Sequence, residues 1–197
     1  MNNEIFILQP KYVEDFQCDG SKCNAKCCGK KWRIRIDVDT YKKYQRIKNP
    51  VMRKKILSSI KPSTNRIGFE INFGEGKYCP LLCEDNLCYV QRNLGEEVLS
   101  NTCKGYPRSV KNLGKYQFRL LSMTCPVAAE KALFSSDGMN IQQVDIEKDT
   151  AVWKLVANLE ENVNIADEMV AIHIIMGGLS ILQNVSYTFE QRLVLLG

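Results

Sequence analysis

The stretch FQCDGSKCNAKCCGKKW, residues 16–32, places Cys18, Cys23, Cys27 and Cys28 within eleven residues. Five more cysteines follow at Cys79, Cys83, Cys88, Cys103 and Cys125, and none lies beyond. A thiolate is the natural ligand of zinc and of iron–sulfur clusters. Short spacings let one loop present several sulfurs to one centre at little extra loop-closure entropy. The pattern predicts a thiolate metal site built from the first two thirds of the chain.

Two other uses of cysteine compete with that reading. Disulfide frameworks belong to small secreted chains without a core, whereas this chain has 197 residues and nine cysteines, an odd number. Its opening, MNNEIFILQPKYVED, has no basic start, long apolar run or small-residue cleavage site, so it does not read as a signal peptide. Buried cysteine can also act as a small hydrophobe, but the first group sits beside Asp19, Ser21, Lys22 and Asn24, a polar setting for core filling.

Working outward, Trp32–Asp37 alternates apolar with charged residues, as a half-buried strand does. Asp37 or Asp39 can cap a helix carrying Tyr41, Tyr44, Ile47 and Val51, with Pro50 breaking or kinking it. Met52, Ile56, Leu57 and Ile60 continue the amphipathic pattern until Pro62 ends it. Arg66–Phe73 alternates again, and the turn Gly74–Gly76 leads into the second cysteine group. The strands on either side of this helical stretch are expected to scaffold the meeting of the two cysteine groups.

Tyr89–Leu99 reads as helical despite Gly95, and Asn101–Arg108 as a turn carrying Cys103. Tyr116–Leu121 is a strand, and Cys125 precedes a helix with Pro126 at its first position, where the dipole favours a thiolate. The tail is helical over Thr150–Leu159, Asp167–Leu182 and Thr188–Leu196, with Trp153, Val156 and Leu159 as core residues. The expected fold class is α+β, a small cysteine-rich metal-binding domain with short strands and helices followed by a mainly helical segment.

Hydrophobic content of 45% and charged content of 25% are ordinary globular values. The net charge of +5 conceals a division, because residues 1–136 carry net +11 and residues 137–197 net −6. The sign change predicts domains of 1–136 and 137–197. The longest apolar stretch, Met169–Leu182, is 14 residues including His173, too short to cross a bilayer, so the chain reads as soluble and cytoplasmic. The apolar terminus Leu193–Gly197 reads as a helix cut short in a longer protein.

Dinucleotide-binding and phosphate-loop signatures do not occur, and neither cysteine group has the C-x3-C-x2-C spacing of radical enzymes that use S-adenosylmethionine. The lone histidine, His173, lies among Val170, Ile172, Ile174 and Ile175 and reads as a core residue.

The ordered motifs resemble those of the flagellin lysine-N-methylase family, related to cysteine-rich domains described as zinc- or iron-chelating. They are the cysteine-rich opening ending in CC-x-x-x-W, then CPLL with a following LC, then LGEEVLSNTCKGYPR, and finally S-x-T-C-P-x-A-A. The resemblance runs from about Phe16 to Leu133. It implies Cys18, Cys23, Cys27, Cys28, Cys79, Cys88, Cys103 and Cys125 as metal ligands, with Cys83 the spare thiol. It also implies S-adenosylmethionine as methyl donor, a 4Fe-4S cluster or alternatively zinc, and flagellin lysines as substrate. Eight thiols exceed the four that one centre takes, so either two centres form or some thiols are structural.

Lysine attacks a methyl sulfonium only as the neutral amine, and Asp85, Glu96, Glu97 and Tyr106 are the candidate proton acceptors near the cysteine motifs. A non-catalytic zinc- or iron-binding module is the alternative function. A nucleic-acid partner, suggested by the basic lobe alone, ranks below both.

Overall fold

The computed structural model of the chain describes residues 5–14, 16–18, 20, 23, 26–29, 32–64, 68–145, 150–159 and 168–196. Asp19, Ser21, Lys22, Asn24, Arg66, Ile67 and Asp167, singled out above, lie outside the described residues. The fold is α+β, with two small sheets, helices between their strands and a helical C-terminal part. It divides into two compact units. One comprises Gln17–Pro107 and Met123–Val127, and every cysteine falls in it; the other comprises Met1–Phe16, Arg108–Ser122 and Ala128–Gly197. The chain leaves the cysteine unit after Pro107 and returns briefly to deliver Cys125. The change of charge sign at 136/137 falls inside the other unit.

In the cysteine unit, β2 is confined to Arg35–Ile36, because Asp37 caps a helix immediately after it. That helix, α2, spans Val38–Gln45. Pro50 does not kink it. With Asn49 accepting from the N–H groups of Val51 and Met52, at 3.0 and 3.1 Å, Pro50 begins a separate helix, α3, over Pro50–Ser58. Proline is pre-shaped for that position, where its missing N–H has no intrahelical partner to lose. Ile60, expected to continue this helix up to a stop at Pro62, instead begins β3 over Ile60–Pro62. Pairing with β4, Phe69–Ile71, overrides the local periodicity, with Ile60 opposite Ile71 and Pro62 opposite Phe69.

The sheet has the order β2-β4-β3, antiparallel throughout. The two strand segments expected as a scaffold are therefore direct neighbours. Beyond their ends Gly29 bridges Tyr78, and the Cys79 N–H donates to the Cys28 carbonyl at 2.7 Å. Ile34, Ile36, Tyr44, Ile56, Ile71 and Leu81 form the buried core beside them.

Downstream, α4 covers Tyr89–Leu94 and stops at Gly95, whose φ of 89° and ψ of 168° lie in a region essentially reserved for glycine. A 3₁₀ turn over Glu96–Val98 follows, so the run expected to be one helix is broken in two. The expected turn around Cys103 is a short helix, α5, Asn101–Gly105, capped by Ser100.

The other unit holds a sheet of order β5-β6-β1-β7, made from β1 (Phe6–Pro10), β5 (Arg108–Leu113), β6 (Tyr116–Leu121) and β7 (Ile141–Val144). β6 pairs antiparallel with β5 across a two-residue turn, where Gly114 takes a φ of 55°, and parallel with β1. A short helix, α1 (Lys11–Glu14), follows β1, and α6 (Pro126–Phe134) starts directly after Cys125 as expected.

The tail helices are α7 (Ala151–Leu159), α8 (Glu168–Gln183) and α9 (Phe189–Leu196). Trp153 and Val156 are buried as expected, with the guanidinium groups of Arg108 and Arg119 lying 5.7 and 5.2 Å from the Trp153 ring. His173 is exposed on α8, not in the core. Val170, Ile174 and Met176 are exposed there too, so the apolar residues of this helix do not by themselves select an inward face. No helix among the described residues is long and apolar enough to cross a membrane.

Candidate metal centre

Local chain geometry brings the cysteines together. The 3₁₀ turn Lys26–Cys28 ends where Gly29 pairs with Tyr78, which seats Cys28 beside Cys79. From Cys79 the chain doubles back. The N–H of Cys83 donates to the Leu87 carbonyl at 2.9 Å, Asn86 takes a φ of 61°, and the Tyr89 N–H reaches the Leu81 carbonyl at 2.7 Å. Asparagine is one of the few residues that tolerates that conformation. The loop leaves Cys88 at the N-cap of α4. Cys103 comes from α5, its N–H donating to Ser100 Oγ at 3.3 Å.

Five thiols result that act on one another. Cys79 is buried within the core, and Cys28, Cys88 and Cys103 pack against the same core. Burial pushes the Cys79 thiol up to about 11, with Cys88 and Cys27 adding to it. Burial also pushes Cys103 up to about 12, and there Cys88, Cys79 and Cys27 act in the same direction. Cys88 is raised by burial, partly offset by the backbone at Gln91 and Val90. Between neighbours, the hydrogen bond from Cys28 to Cys27 lowers Cys27 and raises Cys28. Cys79, Cys88 and Cys103 thus resist ionisation alone, and a bound cation that neutralises their thiolates removes the penalty.

Of the eight predicted ligands, Cys27, Cys28, Cys79, Cys88 and Cys103 form this group. Cys23 and Cys125 act, with Cys27, on the Tyr106 hydroxyl, and Cys18 is exposed. Cys83 is half-buried and acts on Cys88. Among the described residues, no three Cys, His, Asp or Glu side chains stand as they would around one metal ion.

The candidate proton acceptors separate clearly. Asp85 pairs with Arg92 at 2.8 Å, and Glu96 and Glu97 are exposed. Tyr106 packs against Trp32 with tilted rings, centroids 5.2 Å apart, and shares a 3.1 Å hydrogen bond with Thr124. Burial, then the Cys125, Cys27 and Cys23 thiols, raise its pKa against that bond, so it is a phenol and not a base near neutral pH. Trp32 Nε1 in turn donates to the Cys27 carbonyl at 3.0 Å and fixes the first cysteine loop.

Two features of the site had no signal that singled them out. Tyr44 was legible only as one apolar position of a helix. Asp37 was legible as a cap, but its second contact, to Asn101, joins positions 64 residues apart.

Over 151 residues the sequence is 34% identical to the lysine-N-methylases of Salmonella choleraesuis and Salmonella typhimurium, a match covering 75% of this chain and 37% of theirs. The chain thus spans little more than a third of their length. It is 36% identical over 140 residues to the flagellar biosynthetic protein FliU of Salmonella muenchen, covering 69% of this chain and 82% of that protein. No family model matches the chain. No solved structure matches it.

Proposed function

Because the chain belongs to the flagellin lysine-N-methylase family, we propose that it carries the cluster-binding part of an S-adenosylmethionine-dependent methyltransferase acting on flagellin lysines. The observation that carries this reading is the convergence of five thiols from three separate segments on one core. Cys27, Cys79, Cys88 and Cys103 would hold a 4Fe-4S cluster, with Cys28 hydrogen-bonded to Cys27. An all-sulfur donor set suits iron–sulfur ligation.

The reaction is a polar displacement. The neutral lysine nitrogen attacks the methyl carbon, the carbon–sulfur bond breaks, S-adenosylhomocysteine leaves, and the nitrogen gives up a proton. The protein must therefore lower the substrate lysine pKa, which burial and neighbouring Lys or Arg would do. Tyr106, held as a phenol, can orient a group by hydrogen bonding but does not take the proton. When bound, a 4Fe-4S cluster supplies an anchor for the amino-acid end of S-adenosylmethionine.

Anaerobic purification followed by iron, sulfide and zinc analysis is the primary test. Brown protein with about four iron and four sulfide per chain is expected, as a single cubane requires. Incubation with S-adenosylmethionine and flagellin should then add single-methyl mass increments to flagellin lysines. Colourless, zinc-loaded protein without transfer would instead establish a non-catalytic metal-binding module.

A further inference from the structure

Residues 41–61 hold eight Lys and Arg and no Asp or Glu, so this one segment supplies most of the net +11 of residues 1–136 and leaves the rest of them at net +3. It covers the second half of α2, the link to α3, all of α3 and the start of β3. The two helices bury their inner sides in one core, through Tyr44 on α2 and Ile56 on α3. Lys42, Lys43, Arg46, Lys48 and Lys54 are exposed. Among the described residues none of these five forms an ion pair, and Asp39 is the only acidic residue of the two helices.

Lys42 and Arg46 stand one turn apart, and like charges at that spacing oppose helix formation. A face kept only for solubility mixes both signs, whereas a field of one sign gathers partners of the other. The three remaining cations of the segment are engaged. Arg53 donates to the Ile47 carbonyl at 3.2 Å, Lys61 pairs with Glu70 at 3.3 Å, and Lys55 lies 4.0 Å from the ring of Tyr89, the residue after Cys88. The face offers no ring on which a nucleic-acid base could stack, because Tyr44 is buried and Tyr41 lies flat on Phe69 with centroids 3.7 Å apart. Carboxylates carried by a polypeptide fit it better.

We propose that Lys42, Lys43, Arg46, Lys48 and Lys54 form the docking surface for an acidic segment of the protein substrate. The inference rests on the protein-methylating reading above, and no part of it needs a cluster. The contacts are carboxylate pairs with ammonium and guanidinium groups at an exposed surface, so they govern encounter and specificity and weaken with salt. A target lysine is itself a cation that this face repels, so the acidic segment and not the lysine is what it holds.

The test measures binding of the full chain to flagellin by surface plasmon resonance at rising ionic strength, with poly-glutamate and duplex DNA as competitors. Lys42→Glu with Lys54→Glu is compared with Lys115→Glu with Lys154→Glu, an equal change of net charge at exposed positions of the other unit, once circular dichroism has shown both to be folded. The first pair should weaken flagellin binding about tenfold and flatten its salt dependence, while the second should keep wild-type affinity. Lys42→Gln with Lys54→Gln, which adds no carboxylate, should lose less than the first pair, and poly-glutamate should displace flagellin. Equal affinities of the two Glu pairs, salt-independent binding, no displacement by poly-glutamate or no binding by wild type would overturn the proposal. Tighter binding of duplex DNA than of flagellin would overturn it in favour of a nucleic-acid surface. Methyl transfer is scored separately. Binding lost in the first pair with no transfer by wild type would keep the docking surface and remove the methyltransferase reading, whereas transfer with the same KM for flagellin in both Glu pairs would remove the docking surface alone.

Discussion

The Asp37 carboxylate takes the backbone N–H of Asn101 at 3.0 Å while also capping α2 through Thr40. Burial raises its pKa, but the hydrogen bonds from Asn101 and Thr40 prevail and hold the carboxyl below its ordinary 3.8. Asp37→Ala removes the cap of α2 and the bond from the Asn101 N–H, each worth about 1 kcal/mol, so chemical denaturation should show a loss of about 2 kcal/mol. Because the folded pKa is depressed, the stabilisation is present above pH 3.8 and is lost as pH falls through the folded value. Asp37→Ala should therefore have a flatter acid limb than wild type; parallel limbs would contradict the assignment.

Alkylation by iodoacetamide at pH 8 should rank the thiols of the metal-free protein by exposure and ionisation. Cys18 is exposed and should react first, while Cys79 and Cys103, buried and raised to about 11 and about 12, should react last. After metal loading, peptide mapping should find Cys27 and Cys88 newly protected and Cys18 still reactive. Protection of Cys18 in place of Cys27 would move the centre.

The raised thiols also set an alkaline limit in metal-free protein. Folded pKa values above the ordinary 9.0 mean that the unfolded chain releases its protons first, so the contribution is complete below pH 9 and disappears as pH rises through about 11 to 12. Thermal melts across that window should show falling stability, with metal loading removing the Cys79 and Cys103 part of the fall.

Gly95 ends α4 in a conformation that side chains rarely adopt, and an added Cβ would lie 2.4 Å from Glu97 Oε1. Glu97 is exposed and can swing away, so the backbone governs the outcome. Gly95→Ala should cost about 1–3 kcal/mol in denaturant titration, and Gly95→Ala with Glu97→Ala about the same. Full rescue by the second substitution would show that the clash dominated.

Ile56 is 0% exposed at the centre of the cysteine unit, whereas Val51 on the same helix is 75% exposed. Ile56→Ala should cost about 2–5 kcal/mol and reduce metal occupancy, measured by iron content, while Val51→Ser should change neither.

The cysteine unit was legible where a local rule decides the structure. Asp37 as a helix cap, Arg35–Ile36 and Phe69–Ile71 as strand within longer alternating stretches, and Pro126 opening a helix after Cys125 follow from side-chain chemistry a few residues wide. Elements that depend on distant pairing were not legible. Ile60 continues an apolar helical pattern yet begins a strand because Ile71 lies opposite, and β1, β5 and β7 lack clean alternation. At the site, the resemblance drew eight of the nine thiols into one set. Only folding separates the five that act together from Cys18 at the surface and from Cys23 and Cys125 beside Tyr106.

The hairpin of β5 and β6 is inserted between Cys103 and Cys125. During synthesis, the last sulfur of the cysteine unit reaches its partners only after that hairpin has left the ribosome. A fragment ending at Pro107 would hold eight of the nine thiols and lack the segment whose Thr124 hydroxyl meets Tyr106. Neither cutting the gene once nor pausing translation there yields the unit whole.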